Sequence, residues 1–407
     1  MRRRALIMVE GGAWGCSQLY VQAAQRLGLH PIILSAGATC DGYLVKDAEA
    51  IRVDTSDLDS LIRECSRIRA TYDIAGIVGE AVVYVKVGEL CRHFDLPGPN
   101  PAAVARCEDK FAQRQLLTEA GVPMPAYLLA TSANRVKRYA AEIGLPVVLK
   151  PTVSGGSIGV RLCRDFDEVA AHTAYLWSGK HTWRSTPSIL VEGFAQGPYY
   201  TVDIMGHEVI GIGAGEFGPP PHFVYRQFTY PALLTDEEYD RLIDVSLSCL
   251  RALDLGWGPT NIEFRWTTGG PVVIEVNPRM GGTPDPQLVQ LAYGVDLVTE
   301  HIKLVIGDEW DLHRRHSHTA AARFLVADRD GVLAWIGGDS QAAAVSGVAE
   351  VKFYVQSKTP IVRKGDFRDT IGHVIAASPS RAQTEATLQR AADLIDWSIT
   401  PFPNLSE

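Results

Sequence analysis

Residues 272–282, VVIEVNPRMGG, place a carboxylate, an amide and a guanidinium at every second position of a predicted strand. Side chains alternate between the two faces of a strand, so Glu275, Asn277 and Arg279 share one face. Glu263, in the preceding predicted strand TNIEFRW, lies opposite them across the turn TTGG. Taken singly, a Glu or an Asn here is better explained as a solvated strand residue, because most polar strand residues face water. Together their oxygens are the ligands that Mg²⁺ prefers in sites shared with phosphate, so the stretch predicts a magnesium site with an arginine beside it.

A glycine-rich turn upstream is a second phosphate-type signal. Lys150 ends a predicted strand in KPTVSGGSIGV, residues 150–160. The turn that follows carries the small residues Ser154, Gly155, Gly156 and Ser157. Backbone N–H groups of such a turn can wrap a polyphosphate, because glycine permits close approach and positive φ. The segment has neither the Walker A pattern nor the G-x-G-x-x-G fingerprint, and alone it fits an ordinary β-turn equally well.

Hydrophobic periodicity predicts a mixed α/β chain in three parts. Residues 1–98 alternate strands and helices, as expected for a small parallel α/β domain, and end at the turn-rich segment DLPGPNPAA. A central domain over 99–310 begins with one predicted helix, ARCEDKFAQRQLLTEAG (105–121), and residues 311–407 form a β-rich lobe with a terminal helix. The segment GEFGPPPHFVYRQFTYP (215–231) predicts a long loop beside the site.

Composition limits the classes of function. The 407 residues are 46% hydrophobic and 21% charged, which is typical of a globular protein, and the net charge of −8 excludes a general basic surface for nucleic acid. The seven Cys lack a C-x-x-C pair and indicate buried thiols in a reducing compartment. No stretch approaches the roughly 20 apolar residues of a membrane span, and the apolar run after MRRR is too short for a signal peptide. We expect a cytoplasmic protein with no nucleic-acid or membrane partner.

The motifs together resemble the ATP-grasp superfamily. Lys110 in EDKFAQRQLLTEAGVPMP, Lys150, Glu192 in ILVEGF, Glu263 and finally IEVNPRMGG occur in the order and at the separations of that superfamily. The resemblance runs from about residue 1 to 390. It implies an ATP-grasp fold with a Rossmann-like pre-ATP-grasp domain at the N-terminus, a lid subdomain over about 124–196 and a small β-rich C-terminal domain. Within the superfamily the chain looks most like the carboxylate–amine ligases that join L-amino acids.

The resemblance implies how a nucleotide would be held. Lys110 and Lys150 would contact the ATP phosphates, with Lys150 also near the adenine. Glu192 would accept a hydrogen bond from the adenine amino group, and Phe194 would lie beside it. The lid over the β- and γ-phosphates would be formed by residues 154–159, which include Ser154, Gly155, Gly156 and Ser157.

It also implies the metal and catalytic groups. Two Mg²⁺ ions, which Mn²⁺ can replace, would be held by Glu263, Glu275 and Asn277. Arg279 and the backbone of Gly281 and Gly282 would bind an acyl phosphate and the tetrahedral intermediate that follows it.

One element departs from the pattern of the superfamily. Many relatives carry a Glu after the hinge, where GPYYTVD has Tyr199. Three side chains of the predicted loop 215–231 are candidates for contact with an amino-acid substrate: Glu216, His222 and Arg226. Packing within the loop would explain them equally well. Thr283 falls where related ligases shape the pocket for the first amino acid, and it would leave more room there than a Trp.

The resemblance implies an enzyme that uses ATP to join an amino-acid carboxylate to an amine, which we expect to be a second amino acid, with release of ADP and phosphate. Two alternatives stay open at this point. An ATP-grasp carboxylase or purine-type ligase would use bicarbonate or formate, and a non-catalytic protein would bind ATP without turnover. The segment EGGAWGCSQ (10–18) could also present an anion site at a helix N-terminus. By base rate we expect a homodimer.

Overall fold

The computed structural model describes residues 2–10, 17–37, 48–79, 83–180 and 188–402. The mixed α/β class is confirmed. The N-terminal part is a parallel sheet of order β3-β2-β1-β4. Its strands are β1 (Arg4–Glu10), β2 (His30–Ser35), β3 (Glu49–Arg52) and β4 (Asp73–Gly79), and its helices are α1 (Ser17–Arg26), α2 (Leu58–Thr71) and α3 (Tyr84–Phe94). The strand β1 is apolar at every position from Ala5 to Val9 because helices cover both faces of a parallel sheet.

The next part begins with two helices where one was predicted. They are α4 (Pro101–Glu108) and α5 (Lys110–Glu119). Asp109 between them has an extended backbone, and its carboxylate accepts hydrogen bonds from the N–H groups of Phe111 and Ala112. The prediction of one continuous helix over 105–121 is wrong because this side chain caps a new helix. The break places Lys110 at the start of α5, where its N–H donates to the Thr152 carbonyl at 2.8 Å.

A small antiparallel sheet of order β5-β8-β6-β7 lies within residues 124–196, the predicted lid subdomain. Its strands are β5 (Tyr127–Ala130), β6 (Val147–Pro151), β7 (Arg161–Cys163) and β8 (Ile189–Gly193). The helices α6 (Ala133–Ile143) and α7 (Phe166–Trp177) cover one face and bury residues such as Val136, Leu149 and Val169. The other face is left for the glycine turn and the polar residues of the site.

The largest sheet has eight strands in the order β13-β12-β9-β10-β11-β14-β18-β16. The strands are β9 (Tyr199–Met205), β10 (Glu208–Phe217), β11 (Tyr225–Tyr230), β12 (Pro259–Thr267), β13 (Gly270–Asn277), β14 (Thr319–Val326), β16 (Val348–Phe353) and β18 (Thr370–Ser378). The helices that pack on it are α8 (Asp236–Leu253), α9 (Asp285–Tyr293), α10 (Leu297–Val305) and α12 (Arg381–Ala392). The strands β14, β16 and β18 follow residue 311 but belong to the same sheet as the strands before it. The predicted domain boundary at 311 therefore does not separate two sheets.

The C-terminal lobe adds a small sheet of order β17-β15-β19. It contains β15 (Gly331–Gly337), β17 (Pro360–Ile361) and β19 (Asp396–Thr400), together with α11 (Asp339–Ala343) and a short 3₁₀ helix (Phe367–Asp369). Among the described helices, none is long and apolar enough to cross a membrane.

The segment 215–231 is not the predicted loop. Residues up to Phe217 belong to β10 and those from Tyr225 belong to β11, and the two strands pair in an antiparallel ladder. The prolines and aromatic residues suggested a loop, but only the connection 218–224 is irregular. The prediction is wrong because backbone pairing, of β10 with β9 and of β11 with the distant β14, decides the state of this segment.

Glycines at alternate positions of β10 make room on one face of the large sheet. A methyl group on Gly213 would lie 2.6 Å from the Tyr230 ring, and one on Gly215 would lie 2.8 Å from the Tyr199 ring. Residues directly opposite in antiparallel strands share a face, and the register runs Gly213–Thr201–Glu263 across β10, β9 and β12. The rings of Tyr199 on β9 and Tyr230 on β11, which cover the glycines of β10, therefore lie on the face that carries Glu263.

Candidate active site

The predicted carboxylate pair is formed by two neighbouring strands. Glu263 of β12 is directly opposite Glu275 of β13, and Asn261 is opposite Asn277. The Asn277 amide donates to Glu263 Oε1 at 3.4 Å. Burial, and after it the negative charge of Glu275, raises the pKa of Glu263 to about 7. The two carboxylates thus repel each other when both are ionised, and a cation between them would remove this repulsion.

Lys110 connects this pair to the glycine turn. Its Nζ lies 2.9 Å from Glu275 Oε1, and it also donates a hydrogen bond to the Ser154 carbonyl. The Lys110 side chain is 4% exposed and that of Glu275 is 19% exposed, so the ammonium is nearly dry while the carboxylate still meets solvent. Arg279 lies at the other end of the pair, where its guanidinium donates to Asn277 Oδ1 at 3.3 Å.

A second cluster of ions is buried behind the first. Glu192 of β8 receives Lys150 Nζ at 2.6 Å on one oxygen and Arg114 Nε at 2.7 Å on the other. Arg114 also donates to the Ile274 carbonyl on β13. Burial alone would raise the pKa of Glu192, but the charges of Arg114 and Lys150 outweigh it and hold the pKa below its ordinary value. Burial lowers the pKa of Lys150 to about 8, against the opposing charge of Glu192.

Sequence reasoning missed Arg114, although a signal was present. Arg114 follows Lys110 by four residues in α5, so both side chains lie on one face of that helix. Both residues are buried, and Arg114 is fully so. Two basic residues on one buried helix face require anionic partners, and the structure supplies Glu275 and Glu192.

The glycine turn packs against the C-terminal lobe. Gly156 and Ser157 have φ of 60° and 63°, and the Gly156 carbonyl accepts a hydrogen bond from the Phe367 N–H at 3.2 Å. A methyl group on Gly156 would lie 2.5 Å from the Phe367 ring. Ser154 is half-buried and Gly155 is exposed. The turn therefore presents its backbone between Lys110 and the lobe.

Phe194 and Tyr199 lie at the two ends of the hinge, the segment 194–199 that leads from β8 into β9. The Phe194 N–H donates to the Pro146 carbonyl at 3.3 Å, and its ring is 6.3 Å from that of Phe223. Tyr199, the departure from the superfamily pattern, accepts a hydrogen bond from Tyr225 at 2.7 Å and makes its own hydrogen bond to Glu263. No sequence pattern predicted that a tyrosine would form a hydrogen bond with a predicted metal ligand.

The predicted substrate residues are placed apart from one another. Glu216 is exposed and lies opposite Gln227, on the face of β10 away from Gly215 and hence away from Glu263. Arg226 is exposed beside Gly218, and the His222 ring lies against Gly365 of the C-terminal lobe. Thr283 directly follows Gly282 and is half-buried. Of the four, Thr283 is the one that the chain places next to the Arg279 turn; the roles of all four stay predictions.

The donor set fits a divalent cation that is also held by phosphate. Two carboxylates and an amide oxygen are hard ligands at one point of the sheet. In the described part of the chain, no group of three or more His, Cys, Asp or Glu side chains gathers as a metal site. The protein oxygens at this point are therefore too few to enclose Mg²⁺, which usually binds through one or two carboxylates together with substrate phosphates.

The predicted anion site at 10–18 falls largely outside the described residues. Glu10 and Ser17 border a cavity of about 10 Å³ together with Tyr20, Val78 and Gly79. Burial raises the pKa of Glu10.

Comparisons with known proteins agree with this geometry. The family model for the ATP binding domain of the carbamoyl-phosphate synthase L chain matches residues 109–313, just over half of the chain. The family model for the L-amino acid ligase C-terminal domain 2 matches residues 323–400. The two matches cover the carboxylate strands and the strands that extend their sheet.

Similar whole proteins point the same way. An uncharacterized protein of Sinorhizobium fredii, y4rH, is 58% identical over 407 residues, which is 100% of this chain and 85% of that protein. Carnosine synthase 1 of Gallus gallus is 28% identical over 75% of this chain, but the chain spans only 36% of that protein. The crystal structure of an L-amino acid ligase from Bacillus licheniformis superposes with a TM-score of 0.83 and 18% identity, over 98% of this chain and 100% of that one.

Removing Arg114 tests the buried ion cluster. We expect Arg114→Ala to lower the free energy of unfolding by about 3–5 kcal/mol, because it leaves the Glu192 carboxylate buried with one cation fewer. Arg164→Ala is the control, since Arg164 pairs with Glu168 at the surface and its loss should cost about 0–1 kcal/mol. Denaturant unfolding measures both; equal small losses would show that the buried cluster does not stabilise the fold.

Proposed function

The chain belongs to the ATP-grasp superfamily, and on that premise we propose that it is a carboxylate–amine ligase that joins an L-amino acid to an amine, most simply a second amino acid. The observation that carries the proposal is the row formed by Glu263 and Glu275, with Lys110 and Arg279 at its two ends. The match of the C-terminal lobe to L-amino acid ligases supports the choice of amino acids over bicarbonate or formate.

The proposed reaction begins with activation of a carboxylate. A carboxylate oxygen is a poor leaving group, and transfer of the γ-phosphate of ATP to it gives an acyl phosphate that an amine can attack. Bound Mg²⁺ supplies charge neutralisation between the phosphates during this transfer. Glu263, Glu275 and Asn277 would hold the metal, while Lys110 and Lys150 hold phosphate oxygens. The work of these residues is positioning and electrostatics.

The second half of the reaction needs stabilisation of an oxyanion. Attack of the amine on the acyl carbon places negative charge on the carbonyl oxygen, and Arg279 with the N–H groups of Gly281 and Gly282 would face that charge. Arg279 is held in place by its hydrogen bonds to Asn277 and to the Met280 carbonyl. Collapse of the intermediate expels phosphate and leaves an amide. The glycine turn between Lys110 and the C-terminal lobe would keep water away from the acyl phosphate.

The proposal is tested by a screen of substrates. The protein is mixed with ATP and Mg²⁺ and given the L-amino acids singly and in pairs, with bicarbonate and formate in parallel wells. We expect phosphate release from one or a few amino-acid pairs, with a product whose mass equals the two acids minus water. Glu275→Gln should remove this activity by weakening the metal site, whereas the exposed Glu208→Gln should retain it.

Two other outcomes would contradict the proposal. Phosphate release with bicarbonate or formate but with no amino acid would favour the carboxylase or purine-type alternative. Binding of ATP without phosphate release from any acid would favour the non-catalytic alternative.

The glycines after Arg279 give a separate prediction. A methyl group on Gly281 would lie 2.6 Å from Asp285 Oδ2, whereas no heavy atom of the described residues lies within 4 Å of one on Gly282. We expect Gly281→Ala to lower both stability and activity. Gly282→Ala should leave the free energy of unfolding unchanged and lower kcat by about 10², because the methyl group displaces a substrate and not the protein. Full activity of Gly282→Ala would exclude close approach of the substrate to Gly282.

The lowered pKa of Lys150 leads us to expect that ATP binding depends on pH. Its pKa of about 8 means that the ammonium is charged below that pH and loses its charge above it. We expect the affinity for ATP to fall as the pH rises through 8, because the neutral amine must take up a proton to pair with phosphate. Calorimetric titrations with ATP on either side of pH 8 measure this effect. Lys150→Met should bind ATP more weakly and lack this step; an identical step in the variant would assign it to another group.

A further inference from the structure

A carboxylate outside the predicted metal set lies beside the turn that follows Arg279. Asp285 is the first residue of α9, and its side chain folds back onto Gly281, so that a methyl group there would lie 2.6 Å from Asp285 Oδ2. Its N–H donates to the Gly282 carbonyl at 2.8 Å. The carboxylate is half-buried and so still meets the solvent side of the site. It therefore sits next to the backbone that would bind the tetrahedral intermediate.

The other acidic groups near Asp285 already have partners of their own. The charges of Asp203 on β9, Glu263 on β12 and Arg279 in the turn act on it, and Tyr225 and Tyr230 of β11 are close enough to be influenced by its own charge. Asp203 is buried and accepts hydrogen bonds from Tyr230 and from the Asn261 amide. Glu263 is opposite Glu275 in the metal row. The hydrogen-bond network explains why Asp203 is an acid, and the predicted metal set explains Glu263. Neither explains why an acid stands at position 285.

We propose that Asp285 is the base that accepts the proton of the attacking amine. The inference rests on the proposed ligase function and adds to it the group that activates the second substrate. An amino group in water carries a proton and has no lone pair for attack. Transfer of one N–H proton to the Asp285 carboxylate frees the nitrogen electron pair, which forms the C–N bond. The nitrogen of the tetrahedral intermediate then gives its second proton to the phosphate group. The C–O bond to phosphate breaks, hydrogen phosphate leaves with the two electrons of that bond, and Asp285 returns its proton to solvent.

The environment suits this role. Burial, and next the charge of Asp203, raises the pKa of Asp285 well above its ordinary value, with Arg279 opposing. A carboxylate with a higher pKa holds a proton more firmly and is a better general base near neutral pH. The alternative is a purely structural role, in which Asp285 only supports the Gly281 turn. That role would affect every reaction at the site equally.

The two roles predict different reaction rates with a nucleophile that needs no base to remove its proton. Hydroxylamine is mostly uncharged at neutral pH and captures acyl phosphates as hydroxamates. With ATP, Mg²⁺ and the acid found by the screen, we expect Asp285→Asn to form hydroxamate at the wild-type rate. Amide formation with the amino-acid acceptor should fall by about 10²–10⁴. It should recover as the pH is raised and more of the acceptor becomes uncharged, and Asp285→Glu should restore part of it at neutral pH.

Each other result overturns the inference. Equal losses of hydroxamate and amide in Asp285→Asn would assign Asp285 a structural role. Unchanged amide formation would exclude any role in the transfer. A wild-type protein that forms neither product with any acid would overturn the ligase proposal itself, and that failure is recognised without the variants.

Discussion

The burial of Glu192 between Lys150 and Arg114 is the constraint on which the site depends. A carboxylate that is 4% exposed needs its cations, and they come from β6 of the lid and from α5, which also reaches the Ile274 carbonyl behind the carboxylate row. The lid, the helix and the strand with Glu275 are thereby connected through one buried charge. An adenine amino group that donates to Glu192, as the superfamily resemblance implies, must share an oxygen that already accepts from a cation. A nucleotide bound in this way would therefore be linked to the position of Lys150.

Lys110 performs a similar task one helical turn earlier. It joins Glu275 to the glycine turn through the Ser154 carbonyl, and that turn in turn contacts Phe367 of the C-terminal lobe. The ammonium thus holds the Glu275 carboxylate, a proposed metal ligand, and the backbone of the glycine turn at once. In the proposed function, a phosphate that replaces one of these partners would release the turn and the carboxylate from each other. The resting ion pairs keep the site assembled, and the ligand would exchange them for its own contacts.

The features that sequence reasoning recovered are local. The alternation of Glu275 and Asn277 follows from the period of a strand, and the pairing of Glu263 with Glu275 follows from a short hairpin. The prediction that the strand continues to Arg279 is wrong, because β13 ends at Asn277 and Arg279 lies in the turn that follows. The features that it missed are of two kinds. The Asp109 cap is local, and it was overlooked because apolar periodicity runs through the break between the two helices. The order of the segment rich in proline and aromatic residues depends on pairing of β11 with β14, and Arg114 contacts Glu192 from 78 residues away. The spacing of Lys110 and Arg114 indicates that anionic partners are needed, but which residues supply them depends on how separate elements pack.

Tyr199 shows why a departure from a motif has to be judged by its surroundings. A Glu at this position would add a third negative charge beside Glu263 and Glu275, whose mutual repulsion already contributes to raising the pKa of Glu263 to about 7. The phenol adds no charge and makes a hydrogen bond to Glu263, and it is itself held by Tyr225. This bond opposes the rise in the pKa of Glu263 and so favours the ionised form that a metal requires. The substitution is therefore compatible with a working metal site, and it gives no support to a protein that binds ATP without turnover.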